Sequence, residues 1–289
     1  MVNTLENNHL KIAVKSHGAE LSSLIKKSTD TEYIWQADPN YWGRHAPILF
    51  PIVGRLQNDA FLVGTEKYTM KQHGLARNMD FELIESNESS LTFELASSAT
   101  TLKSYPYPFR LRLQYILAKQ VVKVVYKVFN PAEKPMYFSI GGHPAFNCPL
   151  NEGEKRSDYQ LVFEKRETAA TQRLDSGIRN GKKELILDRE KVLPITATLF
   201  DDDALVFEKL ASEKVRLQKG DTPILTFNFK GFPYLGIWSK NRESPFVCIE
   251  PWFGVADHQS HNQQFTQKEG VMKLDGGKSF ESVYAVEIH

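Results

Sequence analysis

The sequence predicts an all-β fold, a large antiparallel β-sandwich with few, short helices. Three observations predict it. Apolar and polar residues alternate with period 2 in segment after segment, turn-forming residues separate the segments, and no long stretch carries a 3.6-residue apolar period. Alternation of this kind buries one face of a strand and leaves the other wet, as antiparallel sheets require.

The strands can be read in order. Leu10, Ile12 and Val14 alternate with Lys11, Ala13 and Lys15. Leu91, Phe93 and Leu95 alternate with Thr92 and Glu94, and Leu111, Leu113, Tyr115 and Leu117 oppose Arg112, Gln114 and Ile116. Val122, Val124, Tyr126 and Val128 oppose Lys123 and Lys127. Phe280, Ser282, Tyr284, Val286 and Ile288 oppose Glu281 and Glu287. Shorter candidates are 159–164, 205–208, 214–217, 224–229, 235–239 and 246–250. Asn130-Pro131, Tyr105-Pro106-Tyr107-Pro108, Gly220-Asp221, Gly231-Phe232-Pro233 and Asp275-Gly276-Gly277 supply the turns. No Ser/Gly-rich linker, repeat or low-complexity tract interrupts the pattern, so residues 1–289 are expected to form one domain of two stacked sheets.

Composition excludes several function classes. Lys+Arg is 36 against Asp+Glu 35, a net charge of +1, which gives no reason to expect a nucleic-acid partner. No apolar run approaches the roughly 20 residues of a membrane span. The stretch Met1-Val2-Asn3-Thr4-Leu5-Glu6-Asn7-Asn8 has neither a basic nor an apolar leader region. Two cysteines, Cys148 and Cys248, are too few for a disulfide framework and suit a reducing compartment, so a cytoplasmic location is expected.

Polar islands within this apolar background carry the chemistry: Gly54-Arg55-Leu56-Gln57-Asn58-Asp59, Gln72-His73-Gly74, Gly142-His143-Pro144 and Cys248-Ile249-Glu250-Pro251. His143 follows Gly141-Gly142 and precedes Pro144, a sequence expected to turn sharply and present an imidazole at a strand end. An imidazole exchanges protons near neutral pH; the alternative is a histidine in an ordinary turn. Glu250 follows Phe246-Val247-Cys248-Ile249, so partial desolvation is expected to raise its pKa and suit it to shuttling protons. Its alternative is a carboxylate satisfied by an arginine or backbone N–H groups. His73 alone reads as a polar loop residue. Arg55 could donate to sugar hydroxyls or phosphate, although a surface arginine is the commoner case.

Trp35, Trp42, Trp238, Trp252 and Phe146 could stack on a sugar ring, although most aromatics in a β protein are core. Within Asp201-Asp202-Asp203 one member could point inward. His258 and His261, beside Asp257, read as a polar loop and not a metal site. No CxxC, HExxH, P-loop or Gly-x-Ser-x-Gly pattern is present in a suitable context.

With these residues in view, the chain resembles the aldose 1-epimerases, the galactose mutarotases, and within them the LacX-like branch. The resemblance runs through Gly18-Ala19-Glu20-Leu21, Trp35, Pro51-Ile52-Val53-Gly54-Arg55, Gln72-His73-Gly74, Gly142-His143-Pro144-Ala145-Phe146 and Cys248-Ile249-Glu250-Pro251-Trp252. It implies the galactose mutarotase-like supersandwich and interconversion of hexose α and β anomers by ring opening. Glu250 falls at the base position, His143 at the acid position, and His73 where a second histidine orients the substrate. Arg55, with Asn58, Trp238 and Phe146, is the expected sugar-binding set. The family's substrate-binding aspartate matches Asp202 or Asp203, with Asp203 preferred.

The implied partner is a small sugar, with no metal or other cofactor, and the chain is expected as a monomer or homodimer. The alternatives are a hexose-phosphate mutarotase, which would need cations such as Arg55 with Arg44, Lys240 or Arg242 around the pocket, and a non-catalytic carbohydrate-binding sandwich. Some positions depart from the galactose mutarotases. Gly142 stands where Asn usually precedes the acid histidine, Ala145 where a Tyr follows it, and Asp59 where a second arginine is common. The carboxylate loop is one residue longer before Asp257.

Overall fold

A computed structural model describes residues Met1 to His289. The chain is 53% strand and 6% helix, so the all-β expectation holds. A 15-stranded sheet dominates, and every ladder in it is antiparallel. Its outer half runs from Glu82–Ser86 through Ser90–Ala96, Arg110–Ala118 and Val121–Phe129 to Ser279–Ile288. From there it continues through Thr222–Asn228 and Lys214–Lys219 to Tyr159–Asp175. The far end carries Leu205–Glu208, Tyr234–Trp238, Phe246–Phe253, Ile140–Gly142 and Ile48–Leu49, in that order. A separate four-stranded sheet is built from the first 32 residues.

Alternation does what the sequence promised. In Val121–Phe129 the residues Val122, Val124, Tyr126 and Val128 are buried, while Lys123 and Lys127 face water. Each fully buried aliphatic of this kind contributes about 1.5–3 kcal/mol. These side chains and those of Leu111, Leu113 and Tyr115 pack in one core with Leu10, Ile12, Val14, Leu21 and Leu24 of the small sheet. Tyr115 Oη donates to Ala19 O at 2.6 Å and ties the layers together. The single α-helix is Ala99–Ser104, six residues long. Ser98 caps it through Thr101 N at 3.3 Å, and the Tyr105-Pro106 pair ends it.

Two sequence expectations need revision. The segment expected as 159–164 extends to Tyr159–Asp175 and pairs with Ile178–Pro194, a hairpin of two 17-residue strands. The second of these strands is exposed on both faces over much of its length, so it shows no alternation to read. Gly141 and Gly142 do not turn the chain; they lie inside the strand Ile140–Gly142. Glycine is needed there for space. A Cβ on Gly141 would sit 2.6 Å from the Trp252 indole, and one on Gly142 2.4 Å from Tyr126 Oη.

Gly142→Ala should therefore destabilise the protein by about 1–3 kcal/mol through overpacking. Urea unfolding would measure the loss. The double variant Gly142→Ala with Tyr126→Phe should recover part of it, because the clashing atom is the hydroxyl.

Candidate active site

Three neighbouring strands of the large sheet lay down the floor of a cavity of about 250 Å³. Side chains two residues apart on a strand share a face. Hence Cys248, Glu250 and Trp252 of Phe246–Phe253 lie on one face, and Glu250 and Trp252 line the cavity. Opposite Glu250 in the ladder stands Gly236, and a Cβ there would lie 2.6 Å from the Trp252 indole. The missing side chain leaves room for the Trp252 indole. Trp238, paired with Cys248, and Ala204 and Val206 extend the floor.

His143 follows the short strand Ile140–Gly142, held by a bond from its N–H to Pro47 O at 3.1 Å. Its imidazole Nε2 lies 3.2 Å from Glu250 Oε2, and the two side chains are only 9% and 1% exposed. Trp42 stacks on the imidazole at 4.7 Å between ring centres. Trp238 and His73 approach it edge-on, each at 5.5 Å. Glu250 Oε2, His143 Nδ1 and Trp252 Nε1 are buried without a protein hydrogen-bond partner.

Burial pushes the His143 imidazole down to about 3, with Arg77 and Arg44 adding to the effect. Burial also raises the Glu250 carboxyl well above its usual range, with the Asp203 charge adding to it. Both shifts favour uncharged groups, which leaves one proton between the pair, on the carboxyl. Moving it across 3.2 Å creates a carboxylate facing an imidazolium.

His73 is fixed by backbone. Its N–H donates to Gly54 O at 2.9 Å, and its Nδ1 accepts from Gly54 N at 3.2 Å. A neutral His73 whose Nδ1 accepts must carry its proton on Nε2. Burial, then His143, Arg77 and Arg44, lower its pKa well below the ordinary value, so it stays neutral. His73 has φ +66°, and a Cβ on the following Gly74 would meet Phe50 O at 2.2 Å.

The structure brings Glu250, His143, His73, Asp203 and Trp238 around one cavity. Asp203 and not Asp202 faces it; Asp202 is exposed beside Arg173. Three expected sugar ligands are corrected. Arg55 does not line the cavity: its Nε donates to Asp59 Oδ1 at 3.1 Å and its Nη1 to Ser176 O at 3.1 Å. Asn58, at φ 55° in a short 3₁₀ turn, lines a different surface depression with Asp59 and Lys71. Phe146 is 1% exposed and packs edge-on against Phe227 in the core.

Other residues lining the cavity are Trp42, Gln72, Arg77, Arg179, Lys240 and Ala256. Arg77 had a faint signal, four residues beyond His73 in the same polar segment. Arg179 had none, because it stands in the hairpin that the sequence did not reveal. That hairpin's tip, with Leu174, Gly177 and Arg179, forms one wall. Arg179 anchors it by donating to Ala256 O at 2.9 Å, Gln172 Oε1 at 2.9 Å and Glu269 Oε2 at 2.8 Å. His143, Cys248 and Glu250 offer ligand atoms within 4.8 Å of one another. Burial raises the Cys248 thiol well above its ordinary pKa, so a cation there would have to displace firmly held protons.

An antiparallel sandwich with a buried acid–base pair at the floor of a small cavity defines a protein of the mutarotase-like class. The sequence pattern of the aldose 1-epimerase family matches residues 1–273, and the chain belongs to that family. It is 37% identical over 280 residues to the plasmid-encoded LacX protein of Lactococcus lactis subsp. lactis, covering 93% of each chain. A galactose mutarotase related enzyme from Lactobacillus acidophilus superposes with TM-score 0.96 at 35% identity, over 100% of this chain and 97% of the other. A galactose mutarotase-like protein from Lactobacillus casei gives 0.93 at 34% identity, over 100% of both chains.

Two outcomes follow from the geometry. At pH above about 4.5 an unfolded Glu250 is ionised while the folded one keeps its proton, so folding is penalised. Glu250→Gln should therefore be more stable than wild type at pH 8, with the advantage shrinking toward pH 4; melting temperatures across that range test it. Arg55→Ala should speed amide exchange at Ser176–Ile178, read by hydrogen-exchange mass spectrometry, since it removes the pin on the hairpin tip.

Proposed function

We propose that this protein is an aldose 1-epimerase that interconverts the α and β anomers of a hexose by acid–base ring opening. The observation that carries the reading is the 3.2 Å contact between buried Glu250 and His143 at the floor of a cavity of monosaccharide scale. When the shared proton sits on His143, Glu250 is a carboxylate and His143 an imidazolium. Glu250 takes the proton of the anomeric hydroxyl as the C1 carbonyl forms. The C1–O5 bond breaks, and its electron pair takes the proton from His143. Rotation about C1–C2 presents the other face of the carbonyl, and the reverse proton transfers close the ring. Protons and electrons balance within the pair, so the chemistry requires no redox partner.

His73, held as the Nε2–H tautomer, acts as a fixed donor that orients a sugar oxygen. Trp42, Trp238 and Trp252 offer aromatic surface to the C–H faces of the ring, and Asp203 accepts from hydroxyls. Burial of the pair is part of the mechanism: in a dry site the charges that develop are worth more than in water.

Polarimetry of freshly dissolved α-D-galactose and α-D-glucose tests the reading. Wild type should accelerate the decay of rotation. Glu250→Gln and His143→Asn should each lose about 10²–10⁴-fold in kcat. Retained turnover in both folded variants would sink the acid–base assignment.

A further inference from the structure

The segment Gly18-Ala19-Glu20-Leu21 contributes nothing to the cavity lining, yet it touches both loops that deliver the histidines. Gly18 N donates to Met79 O at 2.8 Å. Gly18 has φ +72°, and a Cβ there would lie 3.0 Å from Arg77 O, so the segment lies against the 3₁₀ turn Ala76–Asn78 that follows His73. Glu20 opens the strand Glu20–Lys26 of the small sheet and is 6% exposed. Its Oε1 accepts from His45 N at 2.7 Å and from Ala46 N at 3.0 Å. A carboxylate taken out of water is costly unless donors surround it, and two backbone N–H groups on one oxygen are such donors.

Those two donors belong to the segment that holds the acid. His45, Ala46 and Pro47 are buried but lie outside any strand. Their carbonyls face the acid loop: His143 N donates to Pro47 O at 3.1 Å and Ala145 N to His45 O at 2.9 Å. The pairing continues through Ile48 and Leu49, opposite Gly142 and Gly141. The N–H groups of His45 and Ala46 end on Glu20, and Pro47 has none to offer. Without Glu20 both donors would be buried and unsatisfied, and the backbone of the segment would lose its bonds to the small sheet. Trp42, stacked on the imidazole, stands on the same loop three residues earlier.

We propose that Glu20 is a positioning residue for His143, fixing the imidazole against Glu250 through the His45–Pro47 backbone. The inference rests on the epimerase reading above and adds to it a residue outside the cavity. Glu250 is held by its own strand in the large sheet, so a shift of the 45–47 segment moves one member of the pair and not the other. The 3.2 Å contact then opens. A displacement of about 1 Å at such a contact costs on the order of 10²-fold in rate. Trp238, Asp203 and Trp252 are untouched, so sugar binding survives. Glu20 also faces Arg77, whose guanidinium burial and Arg44 lower to about 10 and the Glu20 charge partly restores. Bonds and charge are separable, because glutamine keeps the accepting oxygen and loses the charge.

Polarimetric kinetics compare wild type with Glu20→Ala, Glu20→Gln and Leu10→Ala, the last loosening the small sheet without touching this contact. Glu20→Ala should lower kcat by about tenfold or more while KM moves by less than about threefold. Glu20→Gln should recover most of the loss, and Leu10→Ala should keep the wild-type kcat. Hydrogen-exchange mass spectrometry should show faster exchange over residues 142–147 in Glu20→Ala and wild-type rates in Glu20→Gln. Should Glu20→Ala not fold, Glu20→Asp, which withdraws the same acceptor by one methylene, takes its place. An unchanged kcat in the folded variant overturns the proposal. So does a Glu20→Gln as slow as Glu20→Ala, which assigns the loss to charge, or an equal loss in Leu10→Ala, which assigns it to general loosening. If wild type epimerises no aldose, the epimerase reading fails instead. Exchange at the His143 and Ala145 amides then decides the positioning role on its own, wild-type rates in Glu20→Ala counting against it.

Discussion

The rest of the site depends on holding a carboxyl and an imidazole in contact away from water. Charged, such groups lose several kcal/mol of solvation each on burial, and their attraction repays it only with good geometry. The protein meets this constraint by keeping the resting pair uncharged and close, with His143 Nε2 and Glu250 Oε2 3.2 Å apart. In the proposed mechanism a small shift of one proton makes an acid and a base together.

Rigid elements enforce that contact. Glu250 is in the middle of an eight-residue strand paired on both sides, and His143 follows a short strand paired directly to it. Glycines at 141 and 236 leave room for the Trp252 indole beside the cavity, and Gly142 leaves room for Tyr126 on the core side. Trp42 covers the far side of the imidazole. The sheet thus sets distance, the glycines set room and the indoles set dryness.

Much of this was legible in the sequence. Strands with one buried face announce themselves by alternation, and Glu250 betrayed its desolvation through the apolar run before it. What the sequence hid has physical causes. Ile178–Pro194 is solvated on both faces, so it has no period to detect. The inward turn of Asp203 depends on a left-handed backbone at φ +74°, which neighbouring aspartates in the sequence do not reveal. Arg55 and Arg77 differ in which carbonyls and carboxylates surround them, a property of the folded loops; the family resemblance therefore directed attention to the outer arginine. Phe146 shares a motif with His143 but points into the core, because the strand Ala145–Asn147 alternates its faces.

The wall formed by the long hairpin differs in kind from the floor. It is a two-stranded ribbon reaching in from the sheet and fastened at its tip by Arg179 and Arg55. Because a strand advances about 3.3 Å per residue and its side chains alternate faces, two residues added to each arm raise such a ribbon by about 7 Å and keep the tip side chains facing the same way. The depth of the cavity is therefore adjustable independently of its chemistry. A change in ribbon length alone would alter the height of this wall while Glu250 and His143 stay where the sheet holds them.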